Sequence, residues 1–302
     1  MAALQDVLTR LENEGAALGH FNVADLALVK AVFAAAEQVK VPVLIGASEG
    51  ERGFFGTRQL AALVKSLREE SDLPVFLNAD HTHSLAKGID AARAGFDAVG
   101  IDFSALPFEQ NVSRTKEAVE ALKAINPAIL VEGEIGDIGT GSEIHETAQV
   151  ENRKLTTPEE ARQFVHSTGI DVLAPAVGNM HGMVKSMVQG ETKKHLDIER
   201  IARIKQAAGV FLTLHGGSGT EDADFRKAIA AGINIIHINT ELRVAWRRSL
   251  GDSLARDPNE VVPYRILTPV IDSVKQVVSS RMTLFNAQRA SEPTDEVVQL
   301  TH

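Results

Sequence analysis

The 302-residue chain contains no cysteine. That excludes disulfides and thiolate chemistry together, so any transition-metal site must be built from histidine and carboxylates. Positive charge is also scarce: 31 lysines and arginines face 40 aspartates and glutamates, a formal net charge of −9 at pH 7. A nucleic acid or an anionic membrane needs a positive stripe to release counterions, so neither is expected as a partner, and a small molecule is. No run of about 18 uninterrupted apolar residues occurs. The N-terminal MAALQDVLTRLENEG scatters acids among its apolar residues instead of placing a basic patch before an apolar core. The expectation is a soluble, cytoplasmic protein. With 44% hydrophobic and 24% charged residues, the composition is globular and the length suits one large domain or two small ones.

What is present is a repeated alternation. Eight short runs rich in valine, isoleucine and leucine, at residues 16–23, 41–48, 74–80, 98–104, 128–135, 172–177, 210–216 and 234–239, are each followed by a helix candidate. Their apolar character on both faces suits parallel strands covered by helices, and eight strand–helix units in about 250 residues is the size of a closed barrel. We therefore expect a (β/α)8 TIM barrel over residues 1–286, with a C-terminal helical extension and a flexible tail over 287–302, where periodicity is lost. An open doubly wound sheet is the alternative, but no G-x-G-x-x-G follows the first run. The polar stretch EIGDIGTGSEIHETAQVENRKLTTPEE after the fifth run is too long for an ordinary connection and is expected to act as a lid.

In such a barrel every strand opens at its C-terminal end onto one face, where the chemistry sits. The ends carry Asn22, Ser48, Asp80 with His81, Asp102 with Ser104, Glu132, Glu134, His215 and Asn239, and His181 lies just past the sixth run. A lone histidine is most often a surface or satisfied residue. Three from different strand ends could instead hold a zinc-like ion with one position open. Asp80 and His81 are adjacent, so on a regular strand they point to opposite faces, and both can act only if the strand turns there. Asp80 could otherwise cap the helix beginning near Ser84. His83 is expected to lie outside the ligand set. LHGGSGT at 214–220 opens a helix with three glycines and a serine, a ready phosphate cradle, and HINTEL at 237–242 enters its helix nearby. Trp246, Met180, Met183 and Met187 are read as packing residues.

Together, ADH at 79–81, IDFSALPFEQNVSRTKE at 101–117, VEGEIGDIG at 131–139, HGM at 181–183, LHGGSG at 214–219 and INTEL at 238–242 resemble the class II, metal-dependent fructose-bisphosphate and tagatose-bisphosphate aldolases. The likeness runs from FNV at 21–23 to about residue 282. It implies Zn2+ on His81, His181 and His215, proton transfer by Asp80, and a second, displaced metal position at Asp102 and Glu134. It further implies that Gly182, Gly216, Gly217 and Ser218 surround dihydroxyacetone phosphate and a monovalent cation (Na+ or K+). His237, Ile238, Asn239 and Thr240 would form the other half of the phosphate site, with Asn22 and Ser48 as further substrate contacts. A homodimer or homotetramer is implied as well.

The chain departs from that pattern at several positions. The family's second acid, in the loop after the fifth strand, aligns with Ser142, and Glu143 is the nearest replacement. His237 stands for an asparagine, and Ile235 for a lysine. The arginine that grips the far phosphate is displaced to Arg265, and Arg52 in SEGER could compensate. The expected reaction is cleavage of fructose 1,6-bisphosphate, or of tagatose bisphosphate or another ketose phosphate, to dihydroxyacetone phosphate and an aldehyde such as glyceraldehyde 3-phosphate. A metal hydrolase using His81 and His83, and a non-catalytic partner subunit, are the rival readings.

Overall fold

The computed structural model describes residues 3–139, 141–146 and 154–287. From residue 288 onward, the expected tail lies outside the described residues. All eight apolar runs become strands: Leu18–Asn22, Val43–Ala47, Val75–Thr82, Ala98–Ile101, Leu130–Ile135, Val172–Pro175, Phe211–Leu214 and Ile233–Ile238. Each pairs in parallel with the next and the last pairs with the first, which closes the barrel. The open-sheet alternative is thereby excluded.

Side chains alternate across a strand, and here the alternation sorts residues by chemistry. Phe21, Ile45, Leu77, Val99, Val131, Leu173, Leu212 and Ile236 join the core shared with the surrounding helices. Leu18, Leu44, Phe76, Ala98, Leu130, Val172 and Ile235 form a separate apolar layer at the strand beginnings. The helix Leu4–Asn13 plugs that end with Leu4, Val7, Leu8 and Leu11, one helical face. Two residues further along the strands the interior turns polar, with His20, Asn78, Glu132, Thr213 and His237 all buried. Room for the His20 ring comes from Gly46, where a Cβ would lie 2.0 Å from that imidazole. Five of the eight strands therefore deliver apolar residues to the plug end and a polar one toward the open mouth.

The long helix Pro263–Phe285 buries Val270, Val274, Val278, Met282 and Phe285 at mostly four-residue spacing. Its Phe285 carbonyl accepts from the Ala17 N–H at 3.1 Å, just ahead of the first strand. Beyond the eight strands, Ile144–His145 pairs with Met183–Val184 in a two-residue parallel ribbon. The stretch read as a lid is thus held, at residues 143–145, against the loop that follows the sixth strand; residues 140 and 147–153 lie outside the described residues. No described helix is long and apolar enough to cross a membrane.

Candidate metal centre and active site

The turn that Asp80 and His81 require is present. Pairing between the third and fourth strands shifts register between Ala79 and Thr82, and His81 adopts φ +40°. This bulge aims two consecutive side chains into the same mouth, a device recurrent beside active sites. Arg52 pins it from behind: Nη1 donates to the Asp80 carbonyl at 3.1 Å and Nη2 to Thr82 Oγ1 at 3.0 Å, bracketing His81. Arg52 is buried in that role, which corrects its reading as a contact for a distal phosphate. Arg265 is exposed on the C-terminal helix, bonded to Glu260, and is not among the described residues lining the cavity.

His81, His181 and His215 meet. His81 Nε2 lies 3.0 Å from His181 Nε2 and 3.1 Å from His215 Nδ1. The rings are mutually steep, at 73°, 88° and 73°, and one nitrogen of each lies within 4.8 Å of the others, near enough to share an ion. Nitrogens on a tetrahedral zinc at about 2.0–2.1 Å stand about 3.3–3.4 Å apart, close to the spacing found. Each ring's other nitrogen is held by an oxygen: His81 Nδ1 by Asp102 Oδ2 at 3.1 Å, His181 Nδ1 by the Gly139 carbonyl at 2.7 Å, and His215 Nε2 by Glu132 Oε1 at 2.7 Å. These contacts fix which nitrogen of each ring faces the common point. Two further groupings, one around His20 and His237 and one around His215 and His237, lie equally near one another but do not fit an ion, whereas His81, Asp102 and Glu134 make a third set beside the first. His20 and His237 stack at 3.5 Å with planes 5° apart, and His215 and His237 at 4.2 Å and 22°, so in each pair the lone pairs run side by side.

The electrostatics ask for a cation. Asp80, Asp102, Glu132 and Glu134 all lie within 3.9 Å of the ligand rings. Burial alone favours a neutral His81, yet the charges of Asp80, Glu134 and Asp102 outweigh it and lift the ring to about 10. Burial, followed by the charge of Asp102, pushes Glu134 up to about 7. Glu134 Oε2 is buried without a hydrogen-bond partner, 3.8 Å from His81 Nδ1 and 3.5 Å from His215 Nδ1. His181 is held well below its ordinary value by burial and then by the charges on His81 and His215. Asp80 stays well below the usual carboxylate range: burial opposes this, but the charges of His81 and His237 prevail. Its Oδ2 accepts from Asn22 Nδ2 at 2.8 Å, and its Oδ1 lies 3.3 Å from His237 Nδ1.

Two spaces adjoin this cluster. A small recess is walled by Gly182, Gly216, Ser218, His237, Asn239 and Thr240, and Thr240 begins a helix whose N-terminus favours an anion. Gly217 and Ile238, expected as substrate contacts, are not among the residues that wall this recess, although their chain neighbours are. The Gly217 N–H is taken by the His237 carbonyl, and Ile238 packs into the outer core. On the other side opens a cavity of about 340 Å³, lined by Ser48, Asp80, His81, Glu143 and Arg243 among others. Ser142 and Glu143 both reach that cavity, and the Ser142 carbonyl accepts from Arg243 Nη1 at 3.3 Å. His83 is 58% exposed at its side chain, with its ring centroid 6.4 Å from that of His81, so it stands outside the ligand set. Met180, Met183 and Met187 form a packing cluster, and Trp246 donates to Asp25.

Three residues escape the sequence reading, and a fourth, Glu132, named there only as a strand end, acquires a role. Glu132 orients His215. Glu51, buried, accepts from Asn22, the Ser48 N–H, Asn239 and Arg243. Arg243 contributes a guanidinium to the lining of the large cavity. Lys194 is buried with its ammonium on three carbonyls. Only Glu132 left a mark in the sequence, as the first acid of an E-x-E pair whose two side chains share a strand face.

A closed parallel barrel with three imidazoles gathered at its mouth, an adjoining anion recess and a buried carboxylate is the arrangement of a metal-dependent (β/α)8 enzyme. The profile described as "Fructose-bisphosphate aldolase class-II" matches residues 2–290. The fructose-bisphosphate aldolase of Thermus caldophilus is 36% identical over 303 residues, covering 93% of this chain and 97% of that protein. That of Geobacillus stearothermophilus is 35% identical over 290 residues, covering 95% and 97%. The crystal structure of the YdjI aldolase from Escherichia coli K12 superposes with a TM-score of 0.78 at 29% identity, covering 97% of this chain and 100% of that one. The chain belongs to the class II fructose-bisphosphate aldolase family, and it is a metal-dependent aldolase.

Proposed function

We propose that the chain cleaves fructose 1,6-bisphosphate reversibly to dihydroxyacetone phosphate and glyceraldehyde 3-phosphate, with Zn2+ held by His81, His181 and His215. The observation that carries this is the convergence of three steeply inclined rings between an anion recess and a larger cavity. When bound, the ion acts as a Lewis acid on the substrate ketone, so no Schiff-base lysine is needed. Asp102 and Glu134 ring the same centre and are the carboxylates available to a displaced ion.

The chain's own residues do the rest. Gly182, Gly216, Ser218, Asn239 and Thr240 receive the phosphate of the ketone half. Asp80, ionised and steadied by Asn22, takes the proton of the hydroxyl on the carbon that becomes the aldehyde, as the carbon–carbon bond breaks toward the ketone side. Glu143, from the ribbon-held loop, returns a proton to the carbon left behind. Ser48 and Arg243 receive the distal phosphate. Tagatose 1,6-bisphosphate, which differs in one hydroxyl, is the other substrate this arrangement suits. The exposed His83 gives no support to hydrolysis by a His81–His83 pair, and Asp80 placed against three converged imidazoles argues against a non-catalytic subunit.

Charged sugar phosphates do not cross membranes unaided, which supports a cytoplasmic enzyme. The exposed Phe54, Val261 and Tyr264 support self-association, which light scattering measures. The reaction itself is tested by coupling product release to a triose-phosphate dehydrogenase. Chelation should abolish cleavage and Zn2+ should restore it; activity unchanged by metal removal contradicts the reading.

A further inference from the structure

The class II likeness implies a monovalent cation beside the phosphate end of the substrate, near Gly182 and Gly216, and the residues here do not fit one. The carbonyls of Met180, Gly182 and Gly216 converge from the two loops that carry His181 and His215. The Lys194 ammonium stands among them, donating at 2.6, 2.6 and 3.0 Å respectively. Lys194 is 5% exposed. Its backbone is tied to the phosphate-side turn, through its N–H to the Gly219 carbonyl at 2.8 Å and its carbonyl to the Glu221 N–H at 3.1 Å. Gly216, at φ +60°, makes the close approach of the two loops feasible, since a Cβ there would lie 2.3 Å from the Met180 carbonyl oxygen. Backbone carbonyl dipoles aimed at one buried point are how proteins replace the hydration shell of an alkali cation. An ammonium satisfies the same oxygens with three N–H donors and one positive charge, and an ion cannot share the position.

We propose that the Lys194 ammonium permanently replaces the monovalent cation, so that this enzyme holds the phosphate end of its sugar without K+ or Na+. The proposal rests on the aldolase reading for its substrate. No lysine or arginine is among the described residues that wall the phosphate recess. Gly182 and Gly216 form part of that wall, and their carbonyls hold the ammonium, so a fixed positive charge lies directly behind it. In a buried setting such a charge attracts a phosphate strongly. The same three hydrogen bonds clamp the loops on which two of the ligand histidines ride.

Two variants separate charge from packing. Lys194→Ala leaves three buried carbonyls unpaired, which is costly, together with a space an alkali ion can enter. Lys194→Met removes the charge and fills the space. KM and kcat for fructose 1,6-bisphosphate are measured on the metal-loaded enzymes in KCl and in tetramethylammonium chloride at matched ionic strength, and thermal midpoints are recorded in the same salts. The wild type should change by less than about twofold between salts. In tetramethylammonium, Lys194→Ala should raise KM by about tenfold or more with a smaller effect on kcat, and KCl should reverse this; Lys194→Met should show the same defect without reversal. KCl should raise the thermal midpoint of Lys194→Ala alone. Several-fold activation of the wild type by K+, an unaltered KM in Lys194→Ala, or a midpoint indifferent to KCl in that variant would each overturn the proposal. Absence of cleavage by every form would instead overturn the aldolase reading, and the midpoint comparison would still decide the role of Lys194.

Discussion

Asp80 is the residue on which proton transfer depends, and its geometry separates it from its neighbours. It faces the cavity and touches Asn22 and His237, while the ligand rings are anchored by other groups. Asp80→Asn should therefore lower kcat by about 10²–10⁴-fold with metal content unchanged by elemental analysis. Glu132→Gln should instead act on the metal, weakening its hold about 10–100-fold, as a zinc competition assay would show. Protonation provides another test. Without metal, His81 keeps its proton up to about pH 10, whereas an ion needs the neutral ring. Metal binding at pH 7 should then release a proton, and affinity should rise with pH until about 10. Calorimetry in two buffers of different ionisation heat counts that proton, and a count of zero contradicts the picture. At this scale the sequence discloses the groups that end strands, since a histidine or acid closing an apolar run has few structural reasons to be there. It is silent on Glu51, Arg243 and Lys194. Each acts through a partner brought near by chain closure, and each looks in sequence like an ordinary surface charge.

Among the elements, the bulge in the third strand matters most. Adjacency of Asp80 and His81 shows that the strand must turn, but where the register slips depends on pairing with the fourth strand, and sequence does not encode that locally. Arg52 holds the slipped segment by two hydrogen bonds across His81. Arg52→Met should misplace both functional side chains, lowering kcat and metal affinity together, whereas Asp80→Asn lowers kcat alone. Equal loss in the two variants, with metal retained in both, would rule out a bracing role for Arg52. Similarly, the ribbon between Ile144–His145 and Met183–Val184 is too short to leave a periodic trace. It nevertheless decides that Glu143 sits over the cavity.

For the molecule as a whole, stability and chemistry are separated along the barrel axis. The apolar plug end carries Leu8, fully buried, so Leu8→Ala should cost about 2–5 kcal/mol in denaturant unfolding with kcat unchanged. A fall in kcat at full occupancy of the folded state would show that the two ends are coupled. The barrel is legible in the chain because eight apolar runs recur at strand–helix spacing, but its closure, against an open sheet, is decided by the pairing of the last strand with the first. The metal centre is legible only in part: its ligands end or follow strands, but the inclination of their rings depends on Asp102, the Gly139 carbonyl and Glu132, which chain closure brings to them. The central claim is that one divalent ion is shared by three imidazoles. The X-ray absorption spectrum of the zinc-loaded protein tests it most directly: the account predicts three imidazole nitrogens at about 2.0–2.1 Å, and a shell with fewer than three, or one built mainly from carboxylate oxygen, would contradict it.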